Sequence, residues 1–66
     1  MITIHDHIDN ATYEIEDRFE LEDKLYELFD AKEEGVEEVI EAICKGIISG
    51  EYIGNYEAFL NISIER

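Results

Sequence analysis

From Val36 to Ile48 the residues Val36, Val39, Ile40, Ile43, Cys44, Ile47 and Ile48 recur three and four positions apart. That spacing gathers them on one side of an α-helix, and no period-2 strand reproduces it. Gly50 stands where a left-handed residue ends a helix, and Lys45 lies near that end. Glu37 and Glu38 fall in the first turn, so the charges agree with the helix dipole. A helix with one wholly apolar side has to bury it, so the rest of the chain must supply a matching apolar surface. Only 66 residues are involved, and a chain of that length buries about 60% of the surface its unfolded form exposes. Cys44 is the single cysteine, so no internal disulfide helps the core; this pattern is expected of a reducing, cytoplasmic setting. Within the stripe Cys44 reads as a small buried hydrophobe rather than a reactive thiol.

Strands are the economical source of the matching surface. Ile2 and Ile4 alternate with Thr3 and His5, and Tyr13 and Ile15 with Thr12, Glu14 and Glu16. Asp9-Asn10-Ala11 supplies turn residues between them, which makes a hairpin. Asp17 and Glu20 then have capping-box spacing, Asp17 accepting from the Glu20 amide and Glu20 reaching back to that of Asp17. Leu21, Leu25, Leu28 and Phe29 follow on one side of a helix. The competing reading prolongs the alternation as Tyr13, Ile15, Phe19 and Leu21, with Asp23 as a later cap; the helix is preferred. Lys32-Glu33-Glu34-Gly35 is a break. At the C-terminal end Tyr56, Ala58, Leu60, Ile62 and Ile64 alternate as in a half-buried strand, with Gly54-Asn55 turning a small hairpin after Glu51-Tyr52-Ile53. A short helix over Asn55–Phe59 before a shorter strand is the alternative. The expectation is one α+β domain over 1–66, its small antiparallel sheet formed by the N-terminal hairpin and the C-terminal strand. Two helices cover it, in the order ββααβ.

Several familiar chemistries are thinly represented. His5-Asp6-His7, with Asp9 nearby, holds metal-ligand residue types, and alternate strand residues point the same way. Two imidazoles without two further convergent ligands do not make a closed site, so His5 and His7 read as solvated strand-edge residues and no metal is assigned. Carboxylate pairs such as Asp9 and Glu16 arise by chance in so acidic a chain, and no nucleophile–base pair or glycine-rich cradle accompanies them. No catalytic residue and no cofactor is therefore expected. Asn61-Ile62-Ser63 matches a glycosylation acceptor, but its spacing equally suits a strand. Tyr52 and Tyr56 read as core or core-edge residues ahead of interface residues. No apolar run approaches a membrane span, and the first residues lack the basic and apolar regions of a signal peptide.

Charge carries the functional expectation. Eighteen Asp and Glu against five Lys and Arg give −13 at pH 7, which excludes a classical basic nucleic-acid binder and disfavours anionic membrane. Residues 14–41 hold thirteen of the acids against Arg18, Lys24 and Lys32. Glu20, Asp23, Glu27 and Asp30 form a stripe on the first helix, and Glu34, Glu37, Glu38 and Glu41 another on the solvent side of the second. Like charges so spaced cost a helix about 0.2–0.5 kcal/mol per pair. A sequence selected for stability alone would interleave Lys with Glu. Solubility and the helix dipole account for part of the run from Glu33 to Glu38, but not for the stripe from Glu20 to Asp30.

A row of carboxylates offers a cationic groove what the DNA backbone offers, a dense line of anions. In size, charge and lack of structural cysteines the chain resembles the small acidic inhibitors carried by phages and mobile elements, such as anti-CRISPR proteins, antirestriction proteins and uracil-DNA glycosylase inhibitors. The segment from Val36 to Glu65 is loosely similar to anti-CRISPR proteins that join an amphipathic helix, an acidic tyrosine-bearing loop and a closing strand. Here these would be the helix to Ile48, Glu51-Tyr52 through Tyr56-Glu57, and Asn61-Ile62-Ser63-Ile64-Glu65. The resemblance implies a non-enzymatic inhibitor in the host cytoplasm that occupies the nucleic-acid site of a basic partner without touching nucleic acid itself. The alternative is a small interaction module, homodimeric through exposed apolar residues among Phe19, Tyr26, Ile53 and Phe59, in which the charge serves solubility.

Overall fold

A computed structural model describes residues 1–66. The N-terminal alternation forms β1 (Ile2–Asp6) and β2 (Ala11–Ile15), an antiparallel pair with Ile4 opposite Tyr13. Asn10, at φ 55°, takes the left-handed conformation in the turn between them. Asp17 caps α1 (Arg18–Leu28), its Oδ1 accepting from the amides of Phe19 at 2.9 Å and Glu20 at 3.0 Å. The return bond lands one residue earlier than expected, since Glu20 Oε2 accepts from the Glu16 amide at 3.1 Å. Asp17 is extended as the cap requires, so the helix forms and the continued strand does not.

The apolar stripe becomes α2 (Val36–Ser49), closed by Gly50 at φ 78°, whose amide donates to the Gly46 carbonyl at 2.8 Å. Gly46 is buried and faces the Ile53 side chain, which occupies the space that a β-carbon at position 46 would need. A glycine there lets the chain after α2 fold back against the helix.

That chain is where the first expectation gives way. Residues Gly54–Leu60 form a helix, α3, and only Ile62–Glu65 form the last strand, β3. The Tyr56–Leu60 part of the expected strand and the Gly54-Asn55 hairpin are therefore replaced by the short helix held as the alternative. Ile53 and Leu60, seven residues apart, are buried, whereas Tyr56 and Ala58 are exposed, so the helical period decides. β1 is five residues long, and Ile62–Glu65 already pair with its Thr3–Asp6 stretch, leaving no strand for residues 56–60 to join. Asn61, at φ 58°, makes the left-handed break between α3 and β3.

The sheet order is β2-β1-β3, antiparallel throughout. Ile2, Ile4, Ile15 and Ile62 line its inner face and meet Leu21 and Leu25 of α1, Val36 to Cys44 of the α2 stripe, Ile53 and Leu60 in one core. Ile47 packs at its margin, and Ile48, expected in the stripe, is 59% exposed because the last turn of α2 runs past the core. Ile4, Leu21, Leu25, Ile40 and Ile43 are fully enclosed. The protein is an α+β fold with helices over one face and a polar face outside.

Candidate functional site

All eight carboxylates of the two expected stripes are exposed, but they do not form two continuous helical rows. Asp30 lies beyond α1, which ends at Leu28, and its Oδ1 accepts from the Lys32 amide at 2.9 Å to start the next turn. Phe29 causes the break: its extended conformation carries it against the core instead of prolonging the helix. Glu34 lies in the turn before α2, ahead of Gly35. Glu20, Asp23 and Glu27 remain a row on α1, and Glu37, Glu38 and Glu41 a cluster on α2.

The two groups flank different sides of α1. Lys24 Nζ sits 4.5 Å from the Tyr13 ring centre on β2 and 3.6 Å from Glu27 Oε1, so the Glu20–Glu27 row borders the sheet. On the side facing α2 stand Glu22 and Tyr26, four residues apart on α1. Partial desolvation holds the Tyr26 phenol above its ordinary pKa, and the nearby charges of Glu37, Glu41 and Glu22 raise it further. Burial pushes the Cys44 thiol up to about 11, with Glu22 and Glu41 adding to the effect. The carboxylates gathered at the α1–α2 seam are therefore Glu22, Glu37 and Glu41. Glu22 belongs to neither expected stripe; its i, i+4 spacing to Tyr26 is the signal that was there to find.

Partnering separates these groups further. Glu20 holds the Glu16 amide, Glu27 pairs with Lys24, and Asp30 serves its turn. Glu22, Asp23, Glu34, Glu37, Glu38 and Glu41 make no hydrogen bond or ion pair through their carboxylates. Carboxylates left free beside one another on a rigid two-helix surface can take ammonium or guanidinium groups without first breaking an internal contact.

The histidines occupy the outer face of the sheet. His5 lies in the central strand, not at an edge, and is half-buried. Its Nε2 is 3.1 Å from Glu65 Oε1 and its Nδ1 3.4 Å from Thr12 Oγ1, while His7 Nε2 meets Ser63 Oγ at 2.7 Å. Asp6 points to the opposite face, buried, its Oδ1 accepting from the amides of Ile8 at 2.9 Å and Asp9 at 3.4 Å. No group of three or more His, Cys, Asp or Glu side chains converges as metal ligands would. Tyr52 is 83% exposed and Tyr56 40%, so neither fills the core as expected; α3 turns Tyr56 outward. No helix is long and apolar enough to cross a membrane. Comparison with protein-family models, curated proteins and solved structures found no match.

Proposed function

We propose that this protein is a non-enzymatic inhibitor that binds a basic, nucleic-acid-binding protein and occupies its phosphate-binding groove, in the manner of anti-CRISPR and antirestriction proteins. One observation carries the reading: Glu22 of α1 and Glu37 and Glu41 of α2 all lie near enough to Tyr26 for their charges to raise its pKa, and all three carboxylates are exposed and lack an internal partner. Holding like charges together costs a fold stability that interleaved lysines would recover. The arrangement returns that cost when a cationic groove neutralises them and releases the counterions of both surfaces. Asp23, Glu34 and Glu38 extend the anionic surface around the seam.

The test is competition. The protein should displace a labelled DNA or RNA from its partner, with an affinity that falls steeply as salt is added. The triple variant Glu22→Lys, Glu37→Lys, Glu41→Lys should fold and lose the competition. A flat salt response with full competition by the triple variant would overturn the proposal.

A second reading draws on a separate observation. Tyr52, Tyr56 and Phe59 are exposed together on and before α3, as in a hydrophobic interaction module. It predicts binding that survives both salt and the triple reversal and is lost on Phe59→Ser.

A further inference from the structure

The two edges of the sheet are not equivalent. At β3 the amide of Ile64 is bonded at 2.7 Å to Glu57 Oε2 on α3, so α3 closes that edge. An Ile64 amide turned outward leaves Ile4 and Ile64 as a non-hydrogen-bonded pair across β1 and β3. Successive residues of a central antiparallel strand bond to opposite neighbours, so Ile4 directs its backbone at Tyr13 of β2. By the same alternation Thr12 and Glu14 turn their N–H and C=O groups away from the sheet.

Nothing in the protein takes those groups. Thr12 and Glu14 are exposed, and neither amide donates to a side chain or loop. The next outward amide along the strand, that of Glu16, is taken by Glu20. That bond also fixes a carboxylate of α1 at the edge, in line with Asp23 and Glu27. Glu14 lies on the outer face, while Lys24 is committed to Tyr13 and Glu27. An added strand would thus find two donors and two acceptors on the backbone, with acidic side chains along both of its faces.

We infer that the outer edge of β2, from Thr12 to Glu14, is a strand-addition site for an extended, lysine- or arginine-bearing segment of a partner protein. The inference rests on the reading that the partner is basic, and adds that part of the contact is main-chain pairing, with charge selecting the segment. A second copy of this chain is disfavoured as the occupant, since each copy carries −13 and would bring its own Glu14, Glu16 and α1 carboxylates to the junction.

The probe is a synthetic peptide of alternating valine and lysine, compared with the same peptide N-methylated at alternate backbone nitrogens. The parent peptide should slow hydrogen exchange at the Thr12 and Glu14 amides. N-methylation on the pairing edge should weaken binding about tenfold or more, as should Thr12→Pro, which removes an outward amide and no sheet bond. Equal binding of parent and methylated peptides, with salt dependence kept, would overturn strand addition while sparing the basic-partner reading. Loss of binding by both peptides would overturn it as well. Concentration-dependent protection of Thr12 and Glu14 in the protein alone would give the edge to a second copy and overturn the basic occupant.

Discussion

The carboxylate of Glu57 on α3 accepts a 2.7 Å hydrogen bond from the backbone amide of Ile64 on β3, tying the shortest helix to the edge of the sheet. This amide is partly buried and has no other acceptor. Glu57→Ala should therefore cost about 1–3 kcal/mol, and Glu57→Gln, which keeps an acceptor oxygen, clearly less. Urea unfolding of the two variants measures the difference; equal losses would show that the bond itself is not the stabilising contact.

Asp17 serves two amides at the start of α1, those of Phe19 and Glu20. Asp17→Ala should lower stability by about 1 kcal/mol, and Asp17→Ser should recover most of it. The unfolding midpoint in urea, at unchanged slope, is the readout.

Gly46 lies against Ile53 where α2 meets the chain leading into α3. Gly46→Ala gains about 1 kcal/mol of helix propensity but must displace a stiff β-branched side chain, and overpacking of this kind costs about 1–3 kcal/mol. Net destabilisation is expected, and the pair Gly46→Ala, Ile53→Val should recover part of it. A thermal melt in which Gly46→Ala is more stable than the parent would show that Ile53 yields easily.

Alkaline pH should act through Cys44 and Tyr26. Both folded-state pKa values are raised, Cys44 from 9.0 to about 11, so at high pH the folded state keeps protons that the unfolded state has lost. The Cys44 contribution to stability is complete below pH 9 and is lost as pH rises through about 11, and that of Tyr26 declines only above its ordinary value of 10.0. Cys44→Ala should flatten the fall in unfolding free energy between pH 9 and about 11. Native Cys44 should also react slowly with a thiol reagent at neutral pH, being buried as well as protonated.

Salt should stabilise the protein in isolation. Glu22, Glu37 and Glu41 stand near one another at the seam around Tyr26, and the lysine–carboxylate pair Lys24–Glu27 lies on the sheet side of α1 and does not relieve them. Raising NaCl from about 0.01 M to about 1 M shortens the Debye length from about 30 Å to about 3 Å and should raise the melting temperature. Glu41 lies beyond the first turn of α2, so Glu41→Lys leaves the favourable acids at the helix N-terminus; it should raise the melting temperature at low salt and reduce its salt dependence.

Features governed by neighbours a few residues away were legible in the sequence. The Val36–Ile48 stripe with its Gly50 stop, the hairpin alternation and the Asp17 cap each depend on local spacing, and each forms where expected. Local spacing was ambiguous over residues 56–60, where alternation suited a strand and Ile53 with Leu60 suited a helix; the limited length of β1 decided it. The charge of the surface was equally plain from composition, but its arrangement was not. Whether a glutamate on α1 joins glutamates on α2 depends on how the two helices are turned about their buried faces. That rotation is set by the packing of Leu21 and Leu25 against the core shared with Ile40 and Ile43. It is the reason Glu22, which no single-helix stripe included, stands with Glu37 and Glu41, while Glu20, Asp23 and Glu27 border the sheet.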